Sequence, residues 1–285
     1  MTTTPLDLTT SFGTITGLQA DGEPGRPLIV CIPGGSYNAH YFDLPGHSLL
    51  QAASERGFPA VALDRPGYGG SSPQAGGPSF AQNAVVLADA VGVLWAAHAE
   101  NAPGVVLVGH SMGGAVALHI AAAEHSWPLL GVSVTGIHTD APEGVAAAWA
   151  SIPDGIQVEF TDEQRVQFMY GPADSYDAAV VADAAVSAEK IPVEELHEVV
   201  GGWITDFAVL APRVDVPVHY ALTEHDHLWN STAENVEAFG AAFTAAPSVL
   251  AERIPGVGHN IDHHHGSDAF HAHQLDFAAQ VSTES

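Results

Sequence analysis

The chain is poor in cysteine, in cationic side chains and in long apolar runs. A single cysteine, Cys31, in 285 residues excludes an internal disulfide. It lies inside the apolar run LIVCI, where a buried, inert thiol is expected. Lys and Arg total 7 against 33 Asp and Glu, a formal net charge of −26 at pH 7. A field of that sign repels nucleic acid and anionic membrane surfaces, and it disfavours highly anionic substrates. Unbroken apolar stretches such as residues 103–109 are far too short to cross a bilayer. The N-terminus, MTTTPLDLTT, has neither a basic n-region nor an apolar h-region. These absences lead to an expected cytoplasmic protein, monomer or homodimer, with no membrane or nucleic-acid partner.

Hydrophobic residues make up 46% of the chain, enough for a sizeable core in one large domain. Short apolar runs at 28–32, 59–63, 105–108, 129–134, 216–222 and 249–254 read as buried strands. Ala- and Leu-rich segments with helical spacing, notably 80–98 and 112–123, lie between them. This alternation predicts an α/β protein with a mostly parallel central sheet and helices on both faces.

The rhythm breaks between about 136 and 213. Thr161 and Gln164 form a capping-box pattern with Gly171 closing that segment, 174–190 has helical character, and Pro192 opens a third helix toward Leu210. A helical insert, 136–213, is therefore expected between core segments 1–135 and 214–285. Most of its aromatic residues must pack it onto the core. Trp149, Phe168, Trp203 and Phe207 are the expected apolar walls of a substrate pocket beneath it.

The chemistry concentrates in VLVGHSMGGAV at 106–116. Gly109-His110-Ser111-Met112-Gly113 matches G-x-S-x-G, and it follows a predicted strand and precedes a predicted helix, the context that motif requires. A sharp strand-to-helix turn strains its central residue, and the flanking glycines avoid collisions. A serine nucleophile needs a base, and the base needs an orienting acid. Asp226 lies just past the strand VPVHYAL, and His259 lies in a Gly-rich loop after VLAERI. Open α/β sheets build their sites at such C-terminal strand ends. Glu224 and Asp140 stand as alternative acids.

In family order, Pro33-Gly34-Gly35, Asp64-Arg65-Pro66-Gly67-Tyr68-Gly69-Gly70-Ser71, the Ser111 turn, Thr223-Glu224-His225-Asp226 and Gly258-His259 span most of the chain outside the insert. With these motifs the sequence resembles the α/β-hydrolase superfamily. The resemblance implies an α/β-hydrolase fold with a helical cap, Ser111 as nucleophile, His259 as general base and Asp226 as its partner. It implies an oxyanion hole from the Met112 amide and an amide of Gly35 or Ser36; Pro33 replaces the family's His in that loop. It also implies cleavage of an ester, lactone or thioester of a medium-sized, largely apolar small molecule, without a cofactor. The same triad serves C–C bond hydrolases, lyases and perhydrolases, and a low-turnover ligand-binding member is a further alternative.

The tract Asp262-His263-His264-His265, with His271 and His273 beyond, lacks a metal-ligand spacing. It is expected to form a solvated, His-rich surface, with no metal. His225 and His227 are expected to face solvent, and His110 to fill space without a role.

Overall fold

The computed structural model describes residues 2–283. It opens with a hairpin that the pattern reading did not anticipate, β1 (Thr4–Thr10) antiparallel to β2 (Gly13–Ala20). β1 is mostly exposed at the sheet edge, so it carries no continuous apolar run. The sheet continues through β3 (Leu28–Ile32), β4 (Ala60–Leu63), β5 (Val105–His110), β6 (Leu129–Thr135), β7 (Val218–His225) and β8 (Val249–Gly258). Spatial order is β1-β2-β4-β3-β5-β6-β7-β8. Only β2 runs antiparallel to its neighbours; the other pairings are parallel.

The helices in chain order are α1 (Leu49–Glu55), α2 (Phe80–His98), α3 (Met112–Ala121), α4 (Glu143–Ala150), α5 (Asp162–Met169), α6 (Ala178–Asp183), α7 (Val193–Val200), α8 (Gly202–Leu210), α9 (Ala233–Ala241) and α10 (Ser267–Val281). Strand alternation explains why both faces are covered. Leu28, Val30 and Ile32 of β3 join the core cluster containing α2 and α3. Ile29 and Cys31 join the opposite one, containing α1 and α10. Burial pushes the Cys31 thiol up, away from the reactive thiolate.

One expectation changes at α2. No unbroken apolar run marks it, yet this 19-residue helix is apolar enough by length and composition to cross a membrane. In the fold it is a core helix, burying Phe80, Val86, Leu87, Ala90, Val91 and Leu94.

Between β6 and β7 the chain leaves the sheet and forms α4 to α8. The two-residue strands Gln157–Val158 and Ile191–Pro192 pair antiparallel within this stretch. Thr161 and Gln164 close both halves of a capping box at α5. The helix expected from Pro192 toward Leu210 is broken at Gly201 into α7 and α8, with Pro192 at the N-cap of α7. The helical character of 174–190 condenses into α6 and a following 3₁₀ turn.

A buried ion pair ties α7 to the sheet. Arg65, in the loop after β4, and Glu195 of α7 are both fully buried. The guanidinium meets the carboxylate in a two-pronged contact of 3.0 and 2.8 Å. The Tyr68 hydroxyl donates to the same carboxylate at 2.8 Å, and Arg65 also donates to the Gly34 carbonyl at 3.3 Å. Removing one partner of such a pair strands a buried charge and costs about 3–5 kcal/mol. Glu195→Ala is therefore expected to lose about that much in urea unfolding. The double variant Arg65→Met/Glu195→Leu should recover most of it. A single substitution costing under about 1 kcal/mol would contradict this anchoring role.

Candidate active site

Ser111 stands between β5 and α3 with φ 52° and ψ −127°. Among the described residues, the non-glycine residues with positive φ are Ser36 and Ser111. A backbone of this kind costs on the order of 1–3 kcal/mol and is held by its surroundings. The Ser111 amide donates to the Thr135 carbonyl at 2.7 Å, and its carbonyl accepts from the Gly114 amide at 2.8 Å. The flanking positions admit no side chain: a Cβ at Gly113 would lie 2.1 Å from the Ile32 carbonyl oxygen, and one at Gly109 2.6 Å from that of Gly113. The Met112 and Gly113 amides precede the first hydrogen bond of α3 and stand at the positive end of the helix dipole.

His259 follows β8. Its Nδ1 lies 2.7 Å from Asp226 Oδ2, and both side chains are almost wholly buried. Asp226 Oδ1 accepts from the Leu228 amide at 2.9 Å, fixing the carboxylate's orientation. An imidazole that donates Nδ1–H to a carboxylate keeps Nε2 as its basic atom. Glu224 is engaged elsewhere, with Arg253 at 3.3 Å and the Gly256 amide at 2.8 Å. The Gly256 amide, with Arg253, holds its carboxyl below the usual range. Asp140 is exposed and accepts from Asn235 at 3.0 Å. His227 is exposed and His225 partly so.

Ser111 and His259 share a narrow cavity whose water-accessible space is about 20 Å³, room for roughly one water. Gly35, Met112 and Tyr37 line it beside them, and its remaining wall is apolar: Trp149, Phe160, Met169, Ile191, Leu196, Val199, Leu228 and Trp229. Gly35 is packed so closely that a Cβ there would lie 2.5 Å from Met112 Sδ. Ser36 is fully buried, and its Oγ has no hydrogen-bond partner.

Of the aromatic residues expected at the pocket, only Trp149 lines this cavity. Trp203 is fully buried and donates Nε1–H to the His138 carbonyl at 3.0 Å. Phe207 stacks on Phe239 at 4.0 Å. Phe168 packs on Phe160, whose ring is the one at the cavity wall. The break at Gly201 and the short helices turn faces that a continuous-helix reading cannot assign.

The histidine tract requires a larger correction. Asp262, His263, His264 and His271 are buried rather than solvated. The 3₁₀ turn Ile261–His263 folds them against Tyr41. Asp262 accepts from the Tyr41 hydroxyl at 2.9 Å and pairs with His271 at 3.0 Å. Although burial opposes ionisation, the His271 contact holds its carboxyl down at about 2. His110 is part of the same layer: its ring stacks on Tyr41 at 4.5 Å and lies 4.9 Å from the His259 ring. Burial pushes it well below 6.5, so it supports His259 as a neutral ring.

His264 joins two chain segments. Its Nε2 accepts from the amides of Gly171 at 3.3 Å and Gly258 at 3.1 Å, while Nδ1 donates to the Asn260 carbonyl at 2.8 Å. The segments pass so closely that a Cβ at Gly258 would lie 2.3 Å from the Gly171 nitrogen.

Metal-ligand composition occurs in one cluster among the described residues. His219 Nε2, Glu252 Oε1 and His273 Nδ1 all lie within 4.8 Å of one another. The contacts to Glu252 are hydrogen-bond lengths, 2.8 and 3.1 Å, which satisfy these groups without an ion.

Burial lowers His263 and His264 to about 4. The unfolded chain protonates them near 6.5, so it binds more protons than the fold between those values. Stability is therefore expected to fall as pH drops from about 6.5 to 4. His264→Asn should flatten that slope and remove about 1–3 kcal/mol at pH 7. Chemical denaturation across this range checks both; an unchanged slope would contradict the neutral bridging role.

The model of the Alpha/beta hydrolase family matches residues 29–273. Human Protein ABHD14A is 38% identical over 93 residues, covering 33% of this chain and 31% of that protein. The chain's matches span about a third of the length of its curated relatives. A soluble variant of monoglyceride lipase from Saccharomyces cerevisiae superposes with a TM-score of 0.76 at 14% identity, covering 99% of this chain and 95% of that one. A carboxyl esterase from Bacillus coagulans gives 0.74 at 17% identity, with 99% of each chain covered. At such identities the structures speak for the fold, while the family match spans most of the sequence. The chain belongs to the alpha/beta hydrolase family.

Proposed function

We propose that this hydrolase cleaves a carboxylic ester, lactone or thioester of a small molecule through a Ser111–His259–Asp226 triad. The observation that carries the reading is the 2.7 Å His259–Asp226 contact, with His259 lining the same cavity as Ser111. In this reading Ser111 Oγ attacks the acyl carbon as His259 Nε2 takes its proton. Asp226 holds the imidazole and stabilises its charged form. The amides of Met112 and Gly35, with Ser36 as the alternative loop donor, hold the developing oxyanion. Each such donor is commonly worth about 3 kcal/mol in the transition state. His259 then protonates the leaving group, and water, activated by the same base, releases the acyl group.

Residues 136–213 serve as a cap over the site. The apolar wall around Trp149, Phe160 and Trp229 supports a largely apolar acyl or alcohol part. Similarity of the fold to esterases and lipases is consistent with ester chemistry.

Initial rates on 4-nitrophenyl esters from acetate to octanoate, with lactones and thioesters alongside, test the reading. Ser111→Ala and His259→Ala should each lower kcat by about 10⁴-fold or more. Asp226→Asn should cost on the order of 10³–10⁴-fold, and Glu224→Gln less than about threefold. Retained turnover in Ser111→Ala would remove the nucleophile assignment. A larger loss in Glu224→Gln than in Asp226→Asn would move the acid.

A further inference from the structure

Arg165 is a buried cation without an anion. It and Met169 are the buried residues of α5, one helical turn apart, and Met169 lies on the cavity wall. The Arg165 side chain packs over the ring of Tyr37, with its guanidinium carbon 5.5 Å from the ring centre. Tyr37 also lines the cavity, and its hydroxyl accepts from Asn260, the residue after His259, at 2.9 Å. Arg165 is only 8% exposed; its guanidinium also reaches the Tyr37 hydroxyl, while its Nη1 is buried with no hydrogen-bond partner. Among the described residues, no carboxylate forms an ion pair with it.

Arg26 and Arg213 also lack an ion pair among the described residues, but both are exposed, whereas Arg165 is buried. Acids outnumber Lys and Arg by 33 to 7, so a partner is not scarce. The fully buried guanidinium, Arg65, is answered by Glu195 on two prongs. Arg56, Arg253 and Lys190 each meet a carboxylate at the surface. A buried guanidinium left unanswered keeps its desolvation penalty, and its planar fork suits a carboxylate. The surrounding negative charge repels free anions, so an anionic group is held only where a local cation receives it.

We propose that Arg165 binds a carboxylate carried by the substrate, so that the scissile group belongs to a carboxylate-bearing ester, such as a half-ester of a dicarboxylic acid. The carboxylate meets Nη1 beside Tyr37, and the apolar remainder of the acyl chain follows the Met169 wall toward Ser111. This rests on the hydrolase reading of Ser111. Arg165 here is a specificity determinant, and the bond-breaking steps are those already assigned to the triad.

The test compares mono-4-nitrophenyl glutarate with 4-nitrophenyl pentanoate, which has the same acyl length and no charge. The wild type should favour the glutarate by about tenfold or more in kcat/KM. Arg165→Gln should erase that preference through KM while leaving pentanoate turnover within about threefold. Arg165→Lys should retain part of the preference. Intact pentanoate turnover shows that each variant is folded. Equal treatment of both esters by the wild type, with pentanoate hydrolysed, overturns the inference and leaves the hydrolase reading standing. A binding arm is independent of turnover: methyl hydrogen glutarate should raise the Tm of Ser111→Ala, and Arg165→Gln should abolish the rise. Absence of that rise, or its persistence without Arg165, overturns the inference even if neither ester is cleaved.

Discussion

The site depends on one backbone constraint, the left-handed conformation of Ser111 at the end of β5. A serine in that conformation is not a local preference of the sequence. It is imposed by β5 on one side, by α3 on the other, and by the approach of Gly109 and Gly113 to neighbouring carbonyls. The rest of the sheet then places the partners. Because β7 and β8 run parallel beside β5 and β6, their C-terminal ends deliver Asp226 and His259 to the side where Ser111 protrudes. The topology thus brings together residues more than a hundred positions apart, and the strain at Ser111 is supported by the packed sheet beneath it.

Two buried polar contacts join the helices of 136–213 to this frame. Arg65 and Glu195 connect α7 to the loop at Gly34. His264 connects Gly171 to Gly258, directly before His259. Both contacts are costly to break because their polar atoms lie away from water. Residues 136–213 are therefore fastened to the frame at Glu195 and at Gly171. Arg165 lies against Tyr37, one turn of α5 from Met169, and both of those residues line the mostly apolar cavity.

Much of this was legible in the sequence because it follows short-range rules. The apolar runs of β3 and β5, buried on both faces, gave strands; G-x-S-x-G at a strand-to-helix junction gave the turn; Thr161 and Gln164 gave a helix start that the structure reproduces. The β1–β2 hairpin escaped because an edge strand needs no apolar run. The histidine tract misled because consecutive polar residues look solvated, while a 3₁₀ turn and the distant Tyr41 bury them. Trp203 and Phe207 misled because composition marks an aromatic residue as pocket-forming or core-forming alike. Their partners, His138 and Phe239, are fixed only by tertiary packing. Arg165 carries no sequence signal of its own; only its burial and lack of an acid set it apart.

The central claim is that Ser111 is an activated nucleophile, and covalent trapping tests it most directly. After incubation with a fluorophosphonate, intact-protein mass spectrometry should show one adduct per chain, and peptide mapping should place it on Ser111. His259→Ala should form it far more slowly. An adduct on another residue, or equal labelling of the wild type and Ser111→Ala, would contradict the account.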